Sequence, residues 1–265
     1  MNIKHDTDFE SLDIAMLALM VAEDVKETPV LIDGLQSLRY LTLELRAYVT
    51  ASHEKERREQ LLHTFFKEFH FRGNWENYYA AGNCMLDEVL HTRQGLPVTL
   101  GILLIHMARS VELSVRGVCF PGNFLVHFLD ENVFVDPFTG QIWDHEQQSI
   151  MLRAAHGDLA QLEGKHLKGA DNKEILSRLL NVSKGCLLQE RFLPEALRCS
   201  EILLTMHPDD PYEIRDRGLV YEQLECPQLA AQDYSYFIEQ CPKDPVASVL
   251  KVQLAMLDSS TVVFH

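Results

Sequence analysis

Six cysteines, twelve histidines and many carboxylates are the groups in this sequence able to attack, relay protons or hold a metal. Cys119, His127 and Asp136 lie near one another in a stretch of short apolar runs. A thiol, an imidazole and a carboxylate are the three parts of a thiol-nucleophile relay. His127 stands opposite Asp136 only if the hairpin between them turns at Glu131-Asn132, and a one-residue change in loop length removes that pairing. The alternative is a buried cysteine and a surface histidine beside a carboxylate. The cysteines, at 84, 119, 186, 199, 226 and 241, form no CxxC pair and no framework spacing. Free and mostly buried thiols are therefore expected. His63 and His70 could share a helix face, but no cysteine or carboxylate completes a ligand set. Neither GxxxxGK nor GxGxxG occurs, so no phosphate loop, no metal and no cofactor are expected.

The elements that must position these groups differ along the chain. Ser11 can cap a helix to about Val25, with Leu12, Met16, Leu17, Met20 and Val21 on one stripe. Thr28-Pro29 is a second helix start, continued by Leu31, Leu35, Leu38, Leu41 and Leu45. Leu61, Leu62, Phe65, Phe66 and Phe69 recur at helical spacing, and Asn83 to His91 reads as a short helix. Gly95-Leu96-Pro97 then restarts the chain. From Val98 to Ala108 nearly every residue is apolar, the pattern of a helix buried all round. Strand-like runs follow at Val115–Phe120, Phe124–Leu129, Val133–Phe138 and Gln141–Asp144. Helices followed by antiparallel strands give an α+β core.

Length and charge set the outer limits. The chain has 265 residues, 46% of them hydrophobic, and a formal charge of −15. Such acidity disfavours nucleic acid as a partner. The longest clean apolar run, Ile14 to Ala22, is far short of the ~20 residues a bilayer span needs. The opening Met1 to Asp6 has no apolar signal core. A cytoplasmic protein with no membrane partner is expected. Glycines at 157, 164 and 169 mark the stretch 151–172 as a linker. Beyond it a 34-residue period appears: Ala196 and Ala230, Pro208 and Pro242, Asp210-Pro211 and Asp244-Pro245. Gly218, Tyr221, Ala230, Tyr234 and Pro242 fall at the signature positions of a tetratricopeptide repeat. In the first unit Lys184 and Leu187 replace the Gly and Tyr. A last helix from Val246 to Leu257 would cap the stack. The expected domains are a core at 1–150, a linker at 151–172 and helical repeats at 173–265.

Asn83 to Leu90, Arg93-Gln94-Gly95-Leu96-Pro97-Val98-Thr99-Leu100 and Phe120-Pro121-Gly122-Asn123-Phe124-Leu125-Val126 resemble the transglutaminase-like core of the bacterial SirB/YchA family. Pro208 to Leu219 is similar to that family's tetratricopeptide tail. The resemblance implies a helix-plus-antiparallel-sheet core with N-terminal helices, an all-α repeat tail and a link to regulation of gene expression. The wider superfamily implies a Cys-His-Asp triad, with the Cys opening a buried helix. Position by position, Pro97 stands at the nucleophile, Asn123 at the base, and Asp136 alone keeps its residue. Proline has no nucleophile and asparagine cannot serve as a base near neutral pH, so catalytic activity is not expected from these degenerate positions. Thr99 reads as a satisfied helical threonine.

Two functions follow. One is a non-catalytic interaction or regulatory protein on a degenerate core. The other is a cysteine-dependent hydrolase or acyltransferase rearranged around Cys119, His127 and Asp136. For the first, Arg178, Asn181, Tyr212 and Arg215 take the groove-facing positions of the two repeats. Two guanidinium groups there suit an acidic segment of a protein partner. The competing reading fills that groove with the chain's own Glu163 or a nearby carboxylate.

Overall fold

A computed structural model describes residues 3–4 and 7–261, with side chains described as far as residue 256. Met1, Asn2, His5 and Asp6, part of the N-terminal reading, and Leu257's side chain lie outside the described residues. The chain divides into two compact units, Asp8–Val182 and Ser183 onward, the latter including a short piece of the N-terminus.

The first unit opens with α1 (Ile14–Lys26) and α2 (Leu31–Tyr48). Asp13, not Ser11, caps α1, its Oδ1 accepting the amides of Ala15 and Met16 at 2.9 and 3.3 Å. A carboxylate there also complements the positive end of the helix. Ser11 instead bonds back to the Asp8 carbonyl. The Thr28-Pro29 signal is likewise displaced. Glu23, on α1, accepts the Val30 and Leu31 amides that open α2, while the Thr28 hydroxyl turns to the Lys26 carbonyl. α3 (Glu54–His63) runs into a π-helical turn at Thr64–Glu68, and Leu61, Phe65 and Phe69 are buried on its inner side.

β1 (Arg72–Gly73) pairs in parallel with β2 (Gln94–Gly95), and α4 (Leu86–Thr92) lies between them in sequence. α5 (Pro97–Ser110) is buried along most of its surface, as its composition requires, with Pro97, His106, Arg109 and Ser110 reaching solvent. Leu100, Ile102, Leu103, Leu104, Ile105, Met107 and Ala108 have no exposed surface. Beside it stands an antiparallel sheet in simple sequence order: β3 (Val115–Val118), β4 (Leu125–Phe128), β5 (Val133–Val135) and β6 (Ile142–Trp143). The Phe124 ring sits so close to Gly101 of α5 that a Cβ there would meet it at 2.4 Å. α6 (His145–His156), capped by Asp144, adds Leu152 to a second apolar cluster with Val118, Phe120, Leu125, Phe134 and Trp143.

The stretch expected to be a linker is part of this unit. α6 continues through His156, and Ala170 donates its amide to the Gly117 carbonyl of β3 at 2.8 Å. α7 (Asn172–Gln189) follows, and the division between the units falls inside it, after Val182. The Asn172 amide group ties its start to the Phe9 and Leu12 carbonyls.

The second unit holds α8 (Leu193–Met206), α9 (Pro211–Gln223), α10 (Pro227–Gln240) and α11 (Pro245–Thr261). The 34-residue period has a physical basis. Ala196 and Ala230 are fully buried. Asp210 and Asp244 each accept an amide at the start of the next helix. A Cβ on Gly218 would stand 2.8 Å from the Tyr234 ring. One period earlier those two places hold Lys184 and Ser200: a long chain replaces the glycine and a small one the tyrosine. Lys184 is buried, and its Nζ lies 2.6 Å from Glu213 and 3.4 Å from Asp216.

Candidate functional site

α5 begins at Pro97, whose missing N–H is no loss in the first turn of a helix. Thr99 completes that turn. Its hydroxyl accepts the Leu96 amide and donates to the Asn83 carbonyl at 2.8 Å, so it is a buried, satisfied threonine as its position implied. Asn123 lies in the turn from β3 to β4, and Asp136 directly follows β5. Pro97, Asn123 and Asp136 line one cleft of about 270 Å³. Three positions far apart in sequence thus meet where a helix N-terminus faces two strand ends.

The cleft lacks both the thiol and the imidazole of a thiol relay. Its other lining residues are Trp75, Tyr78, Gly122, Phe138, Thr139, Gln141, Trp143, Gln147 and Met151. None is a cysteine or a histidine. Asn123 Oδ1 accepts the Phe124 amide at 2.7 Å, and the Asn123 carbonyl accepts from Arg178 at 3.2 Å. Asp136 Oδ1 accepts the Phe138 amide at 2.9 Å, and Oδ2 accepts from the Thr139 hydroxyl at 2.8 Å. Its carboxylate therefore organises the turn into β6. Burial pushes the Asp136 carboxyl above its ordinary value, against the lowering effect of those two bonds. Sequence reasoning missed the aromatic wall. Trp75 and Tyr78 pack against Phe138 with centroids 4.6 and 5.6 Å apart, and Trp75 is 71% exposed. The signal was one of only two tryptophans, set in the segment that follows β1.

The rearranged relay is not formed. The register of β4 and β5 places His127 opposite Phe134, not Asp136. The turn spans Leu129–Asn132, closing earlier than Glu131-Asn132, and Asn132 adopts φ +56°, a left-handed conformation asparagine tolerates. His127 stacks on Phe134 at 4.0 Å and bonds Asn132 through Nε2 at 2.8 Å. Burial lowers its pKa. Burial pushes the Cys119 thiol the other way, up to about 11, with Arg178 opposing the shift. A thiol held that high supplies little thiolate at neutral pH.

The four positions expected to bind a partner fall in different units. Arg178 and Asn181 belong to the first unit, where Arg178 is turned to Asn123 and Asn181 bonds the Ser177 carbonyl of its own helix. Tyr212 and Arg215 belong to the second. Arg215 bonds Asp216 Oδ1 through Nε and Nη2, at 2.9 and 2.6 Å. Its guanidinium lies 5.4 Å from the ring centroids of both Tyr212 and Phe237. Tyr212 donates to Asp244 at 3.2 Å. The carboxylate on Arg215 is thus its neighbour in sequence. His63 lies 3.3 Å from Glu68, and among the described residues no group of three potential ligands could hold a metal.

A buried helix starting over a cleft beside antiparallel strands, followed by helix pairs of 34-residue period, defines a transglutaminase-like core joined to a tetratricopeptide tail. Residues 32–181 match the transglutaminase-like superfamily, and residues 184–255 match the tetratricopeptide repeat. The chain belongs to the family that contains SirB1 and YchA. It is 38% identical to a UPF0162 protein of Vibrio cholerae serotype O1 over 98% of both chains. It is 37% identical to protein SirB1 of Salmonella typhimurium and 35% identical to YchA of Escherichia coli K12, each over 80% of both chains. No solved structure matches it.

Proposed function

We propose that this protein is an interaction or regulatory protein whose transglutaminase-like site is non-catalytic: the cleft of Pro97, Asn123 and Asp136 is chemically vacant and the repeat tail receives a protein partner. One observation carries this reading. The cleft in which Pro97, Asn123 and Asp136 meet contains no thiol and no imidazole, so it has neither a nucleophile of the ancestral kind nor its base. Tetratricopeptide repeats are built to present side chains to a partner. Tyr212, about half exposed, and Arg215 offer an aromatic face and a guanidinium that a partner carboxylate would take over from Asp216. An acidic peptide segment is the partner class this favours. No described helix is long and apolar enough to cross a membrane, and a cytoplasmic location is part of the proposal.

Affinity capture with the full-length protein, identified by mass spectrometry, tests the reading. Arg215→Ala should abolish the capture of a partner that the unmodified protein retains, with little change in melting temperature. A variant that alters neither binding nor stability would remove Arg215 from the interaction surface. A partner bound equally by both proteins would do the same.

A further inference from the structure

A second, separate constellation lies where α1, α2 and α5 come together. Asp13 Oδ1 is 2.9 Å from His106 Nδ1, and His106 Nε2 is 3.3 Å from Thr42 Oγ1. All three line an open cleft of about 400 Å³ that shares no residue with the vacated one. The imidazole and the carboxylate are partly exposed, at 21% and 36% of their side chains. The roles along the chain of bonds follow from chemistry. Asp13 accepts two helix amides and has its pKa lowered: burial raises it, and the His106 contact and those amides more than offset that. An ionised carboxylate only accepts, so Nδ1 of a neutral imidazole donates to it. Nε2 then carries the lone pair and faces the Thr42 hydroxyl. Serine and threonine inside a helix commonly bond the carbonyl four residues back, as Ser37 on α2 does with Asp33. The Thr42 hydroxyl reaches His106 instead. Nucleophile, base and orienting carboxylate in series are the arrangement of covalent acyl transfer.

We propose that Thr42, His106 and Asp13 hydrolyse acyl esters that carry an anionic group. Met16, Leu35 and Leu38 give the cleft an apolar wall for an acyl chain, and Arg39 and Arg46 line the same cleft as cations. Thr42 Oγ1 attacks the ester carbonyl carbon as its proton passes to His106 Nε2. The bond to the leaving alcohol breaks, and the imidazolium returns that proton to the departing oxygen. A water, deprotonated by the same nitrogen, then cleaves the acyl-Thr42 ester. The carboxylic acid is released and Thr42 recovers its proton. Thr42 and His106 touch the reacting atoms, and Asp13 is a positioning residue.

The test uses the full-length protein with p-nitrophenyl hexanoate and its carboxylate-bearing counterpart, mono-p-nitrophenyl adipate. The expected result is turnover of both, with the adipate preferred. Thr42→Val and His106→Gln should each lower it by about 10²-fold or more, and Thr42→Ser should restore it. Asp13→Asn keeps a good helix cap and should lower kcat while KM and melting temperature hold. Arg39→Ala should raise KM for the adipate alone. Intact-mass analysis should find an acyl adduct on the peptide containing Thr42. Turnover by Thr42→Val at the unmodified rate would overturn the proposal. So would a folded protein that turns over neither ester, or one in which these substitutions change only the melting temperature, the mark of a purely structural clamp.

Discussion

Asp136 keeps the residue type that would orient a catalytic histidine, yet both its oxygens serve the turn into β6. That difference is measurable. A carboxyl whose pKa is higher folded than unfolded binds its proton more tightly in the native state. Its contribution to stability therefore falls as pH rises above the ordinary aspartate value of about 3.9 and levels off beyond the folded value. Asp136→Asn removes that fall and can still accept the Phe138 amide. The variant should match or exceed the unmodified protein in urea melts at neutral pH, with the advantage shrinking at about pH 3. A loss above about 2 kcal/mol at neutral pH would show the charge itself to be needed. Cys119 gives a second expectation at this scale. With its thiol pushed to about 11, it should react with iodoacetamide at neutral pH no faster than the partly exposed Cys226 and Cys241. Preferential labelling of Cys119 would revive the rearranged relay. That Pro97, Asn123 and Asp136 share one cleft was legible through the motifs that carry them. The pairing of His127 was not, since the turn at Leu129–Asn132 sets the register and its length is not written in the apolar pattern.

At the scale of elements, α5 and the repeat helices hold most of the packing information. Leu103 and Leu104 are both fully buried, so Leu103→Ala and Leu104→Ala should each cost ~2–5 kcal/mol. A change below about 0.5 kcal/mol in both, by urea melts, would mean that α5 is not central. In the tail, Lys184 and Glu213 are nearly inaccessible, with 6% and 8% of their side chains exposed. Lys184→Met leaves the Glu213 carboxylate buried with one partner fewer, and the loss should be about 3–5 kcal/mol. A neutral outcome would show that Asp216 and Glu213 tolerate each other without the ammonium. Helix bodies were legible from periodicity. Caps were less so, because α2 takes its cap from Glu23 on α1, a tertiary contact that no local signal announces. The substitution of Lys184 for the repeat glycine was visible in the sequence, but the reason it is tolerated, a small Ser200 in the tyrosine's place, emerges only with the period applied to both positions.

For the whole molecule, the order of core and repeats could be read from the spacing, while the boundary could not. The glycines at 157, 164 and 169 resemble a linker, yet Ala170 is bonded to β3 and the division falls inside α7. Glycine marks backbone freedom, not separation. One consequence is that a fragment from 172 to 265 cuts the start of α7 from β3, where Ile175, buried in the full chain, packs beside Gly117. It should melt with low cooperativity, and a sharp independent transition would contradict this. The most direct test of the central claim is amine incorporation into a glutamine-bearing peptide by the full-length protein. It should be run alongside a Cys119→Ala variant and a double variant, Pro97→Cys with Asn123→His, all carrying Thr42→Val to silence the second constellation. With no thiol or imidazole lining the cleft of Pro97, Asn123 and Asp136, no isopeptide should form above background except in the double variant, which supplies both groups together. Isopeptide formation without those replacements, persisting when Cys119 is removed, would contradict the account.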